Sequence, residues 1–305
     1  SVRDVYGLTN VATPHMNIDN EVSTVPHRNI DNAAPAGAIN SSITDMTQWV
    51  MLQLGKGKYK GNQIVDETVI EETHRPYITL PFTPELTKAI PHTQFSHFLN
   101  YCMGWLSEDY KGHLIIWHNG ELDGMKAFVG LVPEEDLGAV ILTNYAGHNM
   151  HEALFFHVVD LFLGLTPQDW NALYLKSWKE KKNKEKEAWK VLEEARVKDT
   201  HPTLPLVAYE GTYRNDAFGE IKVALEDGHL VIYYSSSLTG DLEHWSYDTF
   251  MVDFRDKTSS ATELKPLVGF SVDAKGSAAE MNYDDMFVFE RLTDTSIEHS
   301  NNIVK

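Results

Sequence analysis

The sequence predicts an α/β (α+β) unit, an antiparallel sheet with covering helices, followed by a smaller all-β unit. Three observations carry that expectation. Between Tyr101 and Asn144, three short apolar runs ("HLIIWH", "GMKAFVGLV" and "LGAVILTN") are divided by "NGELD" and "PEED", the turn-rich breaks of an antiparallel meander. On either side of this stretch apolar residues recur at helical spacing. From Leu206 onward the period changes to two.

The chain of 305 residues is long enough for two hydrophobic cores, and its 42% hydrophobic and 23% charged residues are those of a globular protein. A formal charge of −18 argues against a nucleic-acid partner, because neutralising phosphates requires a basic surface. The one cysteine, Cys102, can form no intrachain disulfide and reads as a small core residue. No uninterrupted apolar stretch reaches the roughly 18–20 residues of a membrane helix. The opening "SVRDVYGLTN" has neither the basic start nor the apolar centre of a signal peptide, and without a starting methionine it reads as a processed or truncated product.

Residues 1–40, with scattered Asn, Pro, His and Gly, read as one long loop. A helix follows: Ser42 and Asp45 fit a capping box, and Met46, Trp49, Val50 and Leu54 share one face. Gly55 stops it, and "GKGKYKG" is expected to be a flexible link. A shorter helix spans Glu67 to His74 and ends before Pro76. After the meander, Leu154, Phe155, Val158, Val159 and Phe162 mark the apolar face of a buried helix. Thr166-Pro167-Gln168-Asp169 starts another, running from Pro167 to Lys198. Between Lys176 and Lys198 it holds nine Lys/Arg and five Glu, which reads as a solvated face with i,i+4 ion pairs rather than a docking surface.

"DTHPTLP" (199–205) reads as an interdomain linker. Beyond it Ile221, Val223 and Leu225 alternate with polar residues, Asp227-Gly228 turns the chain into Leu230, Ile232 and Tyr234, and the pattern returns at Phe250, Val252 and Phe254, at Phe270 and Val272, and at Phe287 and Phe289. Such spacing suggests a small barrel or sandwich of roughly 85–90 residues. The expected division is 1–165, a charged helix and linker over 166–205, a β unit over 206–293, and a polar tail over 294–305.

Fourteen histidines raise a metal hypothesis, and His148, His151 and Glu152 lie close in sequence. No HExxH or His/Cys cluster with zinc spacing is present, so neither a metal nor another cofactor is expected. "WHNG" is the stronger signal. A strand ending at His118, followed by Gly120 and a tight turn, would expose an imidazole and several backbone N–H groups. The Glu121 N–H could face a developing oxyanion, and His118 could position, protonate or polarise an acyl substrate. Taken alone, a histidine at a strand end is most often a polar edge residue.

The run from "NAAPAGAINSSITDMTQWVMLQL" through "YCMGWLSEDYKGHLIIWHNGELDGMKAFVGLVPEEDLGAVILTN" resembles the serine β-lactamase and penicillin-binding family, in its class-C-like branch of esterases, D-aminopeptidases and D,D-peptidases. "HNG" at His118-Asn119-Gly120 is similar to the family's third motif, Lys-Thr-Gly in β-lactamases and His-x-Gly in many esterase and peptidase relatives. The resemblance covers about residues 1–164 and implies part of a β-lactamase/transpeptidase-like domain. The segment from "YEGTYRND" at Tyr209 resembles the lipocalin-like domain often appended to such hydrolases. By resemblance His118 lines the acyl site, Gly120 allows close approach, and the Glu121 N–H supplies half of the oxyanion hole. Trp117 and Asn119 are structural neighbours, with Asn119 a candidate substrate contact.

The family's nucleophile is the serine of Ser-x-x-Lys, and no serine in this sequence has a lysine three residues on. The one Tyr-x-Asn, Tyr213-Arg214-Asn215, falls in the β-rich region and reads as a strand rather than the family's second motif. "SVRDVYGLTNVATPH" looks like the segment following the helical part of the catalytic domain. The expectation is therefore a C-terminal portion of a hydrolase, completed by an N-terminal fragment that carries the nucleophile and acting on a small-molecule or peptide substrate. The resemblance leans toward an esterase or peptidase outside the cytoplasm. The alternative is a catalytically silent relative that binds a peptidoglycan-like or lipid-like ligand.

Overall fold

The computed structural model describes residues 1–258 and 265–292; the tail expected at 294–305 lies outside them. The chain divides into two compact units, Ser1–Glu187 and Ala188–Lys305, a division that falls within one long helix.

The first unit opens with a hairpin, β1 (His15–Ile18) and β2 (Glu21–Thr24), where a continuous loop was expected. Asp19 and Asn20 form its turn, both at positive φ, a conformation that Asp and Asn tolerate better than most side chains. After a single helical turn, α1 (Ala34–Gly37), helix α2 (Ile43–Leu54) begins as expected, with Ser42 Oγ accepting the Asp45 N–H at 3.2 Å. The "GKGKYKG" stretch is not a flexible link. It forms a hairpin, β3 (Lys58–Tyr59) and β4 (Asn62–Gln63), turned by Lys60-Gly61 with both φ angles positive. Helix α3 (Glu67–His74) has the expected bounds.

Strand β5 (Ile78–Thr79) and helix α4 (Pro84–Ala89) lead into β6 (Leu99–Tyr101), β7 (Leu106–Tyr110), β8 (His113–Leu122), β9 (Met125–Val132) and β10 (Leu137–Thr143). These strands form one antiparallel sheet in the order β10-β9-β8-β7-β6-β5. Helices α5 (Met150–Phe162) and α6 (Trp170–Ala195) follow.

Because side chains alternate across a sheet, each strand feeds two cores. On one face Ile115, Trp117, Phe128 and Ile141 bury Phe155, Phe156 and Val159 of α5 and Trp170 of α6. On the other, Ile116 and Leu131 meet Val50 of α2, Cys102 and Trp105. Two glycines show how closely the helices sit: an added Cβ at Gly130 would strike the Phe155 ring, and one at Gly138 would strike Val50.

The apolar face expected for α5 is rotated. Leu154 and Phe162 are 43% and 70% exposed, while His151, Glu152, Phe155, Phe156, Val159 and Asp160 are buried. Two inward carboxylates account for this. Asp160 accepts from Tyr110 Oη at 2.6 Å, Lys111 Nζ at 2.8 Å and Trp170 Nε1 at 2.8 Å, and Glu152 accepts from Asn119. Helix α6 begins later than expected because Asp169, rather than Thr166, caps it, its Oδ1 accepting the Ala172 N–H at 2.9 Å. Its outer face carries the expected spaced ion pairs, Lys176–Glu180, Lys181–Glu185 and Lys190–Glu194.

The second unit is a closed barrel. Strands β11 (Gly211–Asn215), β12 (Gly219–Glu226), β13 (His229–Tyr233), β14 (Thr239–Ser246), β15 (Thr249–Phe254), β16 (Leu267–Val272), β17 (Ala278–Tyr283) and β18 (Phe287–Arg291) pair in sequence order, and β18 returns to β11. Tyr209, Tyr213, Ile221, Val223, Phe250, Val252, Phe270 and Phe289 fill the interior. Leu225, Tyr234 and Val272, expected within the alternating pattern, are instead exposed. Tyr213-Arg214-Asn215 lies in β11 as expected. The 199–205 segment is anchored rather than loose: Thr203 donates through both N–H and Oγ1 to Asp248, which also accepts from Tyr209 Oη.

Asp227-Gly228 turns β12 into β13 with φ angles of 45° and 85°, the two positive values of a type I′ hairpin. Gly228→Ala forces a Cβ into that conformation and is expected to cost about 1–2 kcal/mol, read as a lower denaturant midpoint. An unchanged midpoint would show that the turn does not depend on glycine.

Candidate active site

Strand β8 does not stop at His118. Its pairing with β7 ends at Leu106↔Trp117, but its pairing with β9 continues to Leu122↔Met125. The turn therefore lies at Asp123-Gly124, where Gly124 has φ 73° and an added Cβ would strike Pro14. Two contacts carry the strand through "NGE": Asn119 Nδ2 donates to Glu152 Oε1, far along the chain, at 3.1 Å, and Glu121 Oε2 lies 3.1 Å from Lys126 Nζ across the hairpin on β9.

Residues 118–122 thus have a strand on one side only among the described residues. Two turns indicate which backbone groups face the open side. Leu122 and Met125 flank a two-residue turn, as do Tyr110 and His113, and residues so placed exchange the closing hydrogen bonds. Alternation then sends the N–H and C=O groups of Asn119 and Glu121 to the open edge. The Asn119 carbonyl fits this assignment, since it meets His118 Nδ1 at 2.5 Å. With Nδ1 donating there, Nε2 is the nitrogen left to accept.

His118 and Gly120 lie on the α2 face of the sheet, Asn119 and Glu121 on the α5 face. The half-buried His118 ring forms part of the wall of a hollow of about 450 Å³, with Trp49 and Gln53 of α2, Ile70 and Thr73 of α3, and Trp105. Of the expected site residues, His118 lines this hollow, Gly120 borders the same face, and Glu121 contributes its backbone at the edge. The Asn119 side chain is held by Glu152 on the opposite face. Trp117 is buried beneath the site against Phe128, a neighbour as expected.

Gly120 is informative because nothing in the fold requires glycine there. Its φ is not positive, and an added Cβ meets no atom within 4 Å. Gly120→Ala is expected to leave the unfolding midpoint nearly unchanged, within about 0.5–1 kcal/mol, while blocking ligand approach at the open edge. A variant that lost stability and kept its ligand would reverse that account.

Sequence reasoning missed Gln53 and His74. Gln53 is 4% exposed, and its Oε1 lies 2.9 Å from Nε2 of His74, whose pKa is lowered by burial. A glutamine within the apolar stripe of α2 was the available signal.

Among the described residues no group of three or more His, Cys, Asp or Glu could hold a metal ion. His148 and His151 stand with ring centroids 6.1 Å apart, and buried His151 is pushed down to about 4, first by burial and then by Lys126 and His148. As pH falls below the ordinary value of 6.5 the unfolded chain takes up this proton before the folded one. The neutral ring's contribution is therefore intact above pH 6.5, declines down to about 4 and is flat below, on the order of 3 kcal/mol in all. Denaturant midpoints at about pH 7.5 and about pH 4.5 should fall less for His151→Gln than for the native chain. Equal falls would contradict a buried neutral ring.

A sequence model of the family described as Beta-lactamase matches residues 4–160, just over half of the chain, and the chain belongs to that family. A second model, a domain of unknown function (DUF3471), matches residues 195–297, which include the barrel. Two curated relatives are named unguisins hydrolases. That of Aspergillus campestris is 25% identical over 220 residues, 68% of this chain and 38% of the relative. That of Aspergillus violaceofuscus is 26% identical over 247 residues, 76% of this chain and 44% of the relative. The chain thus spans about two fifths of the length of these relatives. Among solved structures, the octameric penicillin-binding protein homologue from Pyrococcus abyssi is 15% identical with a TM-score of 0.44, covering 94% of this chain and 55% of that one. The C-terminal domain of penicillin binding protein Rv0907 is 24% identical with a TM-score of 0.27, covering 32% and 94%.

Proposed function

We propose that this chain forms one wall of a serine hydrolase site that acts through an acyl-enzyme on an amide or ester. The open edge of β8, with the Glu121 N–H directed away from β9 and His118 beside it, carries this reading. A substrate carbonyl at that edge would place its oxygen on the Glu121 N–H, which becomes a stronger partner as the oxygen turns anionic. His118 Nε2, the nitrogen left to accept, would take a proton from the incoming water and return it to the serine oxygen as the acid leaves. The attacking hydroxyl belongs to a Ser-x-x-Lys segment outside this sequence. There the lysine takes the serine proton, the serine oxygen bonds to the carbonyl carbon, and the carbon–leaving-group bond breaks as the lysine hands that proton to the leaving group. Water then releases the acid and restores the hydroxyl. The names of the two fungal relatives, unguisins hydrolases, favour hydrolysis.

Intact-mass measurement after exposure to a fluorophosphonate tests the reading. The chain alone should gain no mass, and the adduct should appear on an added N-terminal segment carrying Ser-x-x-Lys. An adduct on this chain alone would refute the division of labour. Absence of any adduct with that segment present would favour the second reading, a silent binding protein, which the missing motif supports. A lipid-like ligand inside the barrel fits poorly, since aromatic and aliphatic side chains occupy the interior.

A further inference from the structure

We infer that the hollow beside His118 is a side-chain subsite selecting a neutral, apolar amino-acid residue of a peptide substrate; this rests on the hydrolase reading of the same edge. Three observations carry it. The first is the wall: Trp49, Val69 and Trp105 present apolar surface around a volume of about 450 Å³, room for one large side chain and its flanking amide. The second is charge: among the described side chains lining the hollow, His118 is the only titratable one. A lysine or aspartate side chain would give up its hydration there without an opposite charge in return.

The third is an unspent donor. Gln53 is 4% exposed and lines the hollow. Its Oε1 is engaged by His74 Nε2 at 2.9 Å, and among the described residues no hydrogen bond takes up the protons of its Nε2. That donor is not enclosed, so whatever occupies the hollow, water or a ligand, can accept from it. A peptide carbonyl is the matching group. Thr73 Oγ1 donates to the Ile70 carbonyl at 2.8 Å, which leaves its lone pairs available to a peptide N–H. One peptide unit therefore finds both a donor and an acceptor in an otherwise apolar wall.

The test is direct binding to this chain, followed by tryptophan fluorescence, with N-acetyl-phenylalanine amide and N-acetyl-leucine amide as neutral probes and N-acetyl-lysine amide and N-acetyl-aspartate amide as charged ones. The neutral probes should bind at least about tenfold more tightly than the charged pair. Gln53→Leu should weaken the neutral probes by about five- to tenfold. Because Gln53 is buried, Val69→Glu is the second variant: at a half-exposed position of α3 it keeps the fold, and it should weaken the neutral probes and improve the lysine probe. Equal affinity for all four probes, or neutral binding unaffected by Val69→Glu, would overturn the assignment. Loss of neutral-probe binding once an N-terminal segment is added would give the hollow to that segment and also overturn it. Selective binding with no acyl-enzyme in the completed protein would sink the hydrolase reading and keep the subsite. Turnover without apolar preference would do the reverse.

Discussion

His118→Ala is expected to lower turnover of the completed hydrolase by about 10–1000-fold, with most of the loss in kcat. The imidazole is held by its Nδ1 contact to the Asn119 carbonyl, and the ring lines the hollow. In the inferred subsite, Trp49, Gln53 and Trp105 hold the substrate and the substitution leaves them in place, so KM should move little. The half-buried ring makes only modest packing contacts, including the edge of Tyr101 at 6.3 Å, so the fold should survive. Steady-state hydrolysis of an activated ester separates the cases. A fall in kcat with an unchanged unfolding midpoint supports a chemical role, whereas an unchanged rate would make His118 an ordinary residue of a sheet edge.

Asp160→Ala should be the most damaging substitution in the first unit, at about 3–5 kcal/mol. The carboxylate is nearly enclosed and holds three donors from three different elements: Tyr110 on β7, Lys111 in the turn after it and Trp170 at the start of α6. Removing it takes away the only carboxylate partner of the Lys111 ammonium among the described residues, which keeps the Thr166 carbonyl at 3.2 Å, and leaves two buried ring donors without their acceptor. Tyr110 is already raised far above the usual range, by burial first and then by Asp160, and so remains a neutral donor. Asp160→Asn, which keeps an acceptor but loses the charge, should cost less than the alanine variant. Denaturant titration of both against the native chain provides the comparison. Alanine and asparagine variants with equal midpoints would show that the cluster does not depend on this acceptor.

What could be read locally was read well. Asp227-Gly228 is a two-residue turn with its own conformational signature, and Ser42 caps α2 through a neighbour three residues away. What failed depended on partners far along the chain. Asn119-Gly120 has the composition of a hairpin turn, yet the strand runs on beyond it, held in part by Glu152, which lies 33 residues from Asn119. The inward face of α5 was misplaced for the same reason, since Asp160 and Glu152 turn inward to meet donors from the sheet and α6. In the barrel, β14 and β17 mix polar and small residues with few apolar ones and gave no clear period. The candidate site was half legible: the motif singled out His118, but its position in the middle of a strand with an open edge followed only from the register.

A structure of the completed enzyme carrying a phosphonyl group on its serine tests the central claim most directly. The phosphonyl oxygen should lie within about 3 Å of the Glu121 N–H, with the His118 ring on the same side of β8. A phosphonyl group on the Asn119–Glu152 face, or a protein strand paired along residues 118–122, would contradict the account.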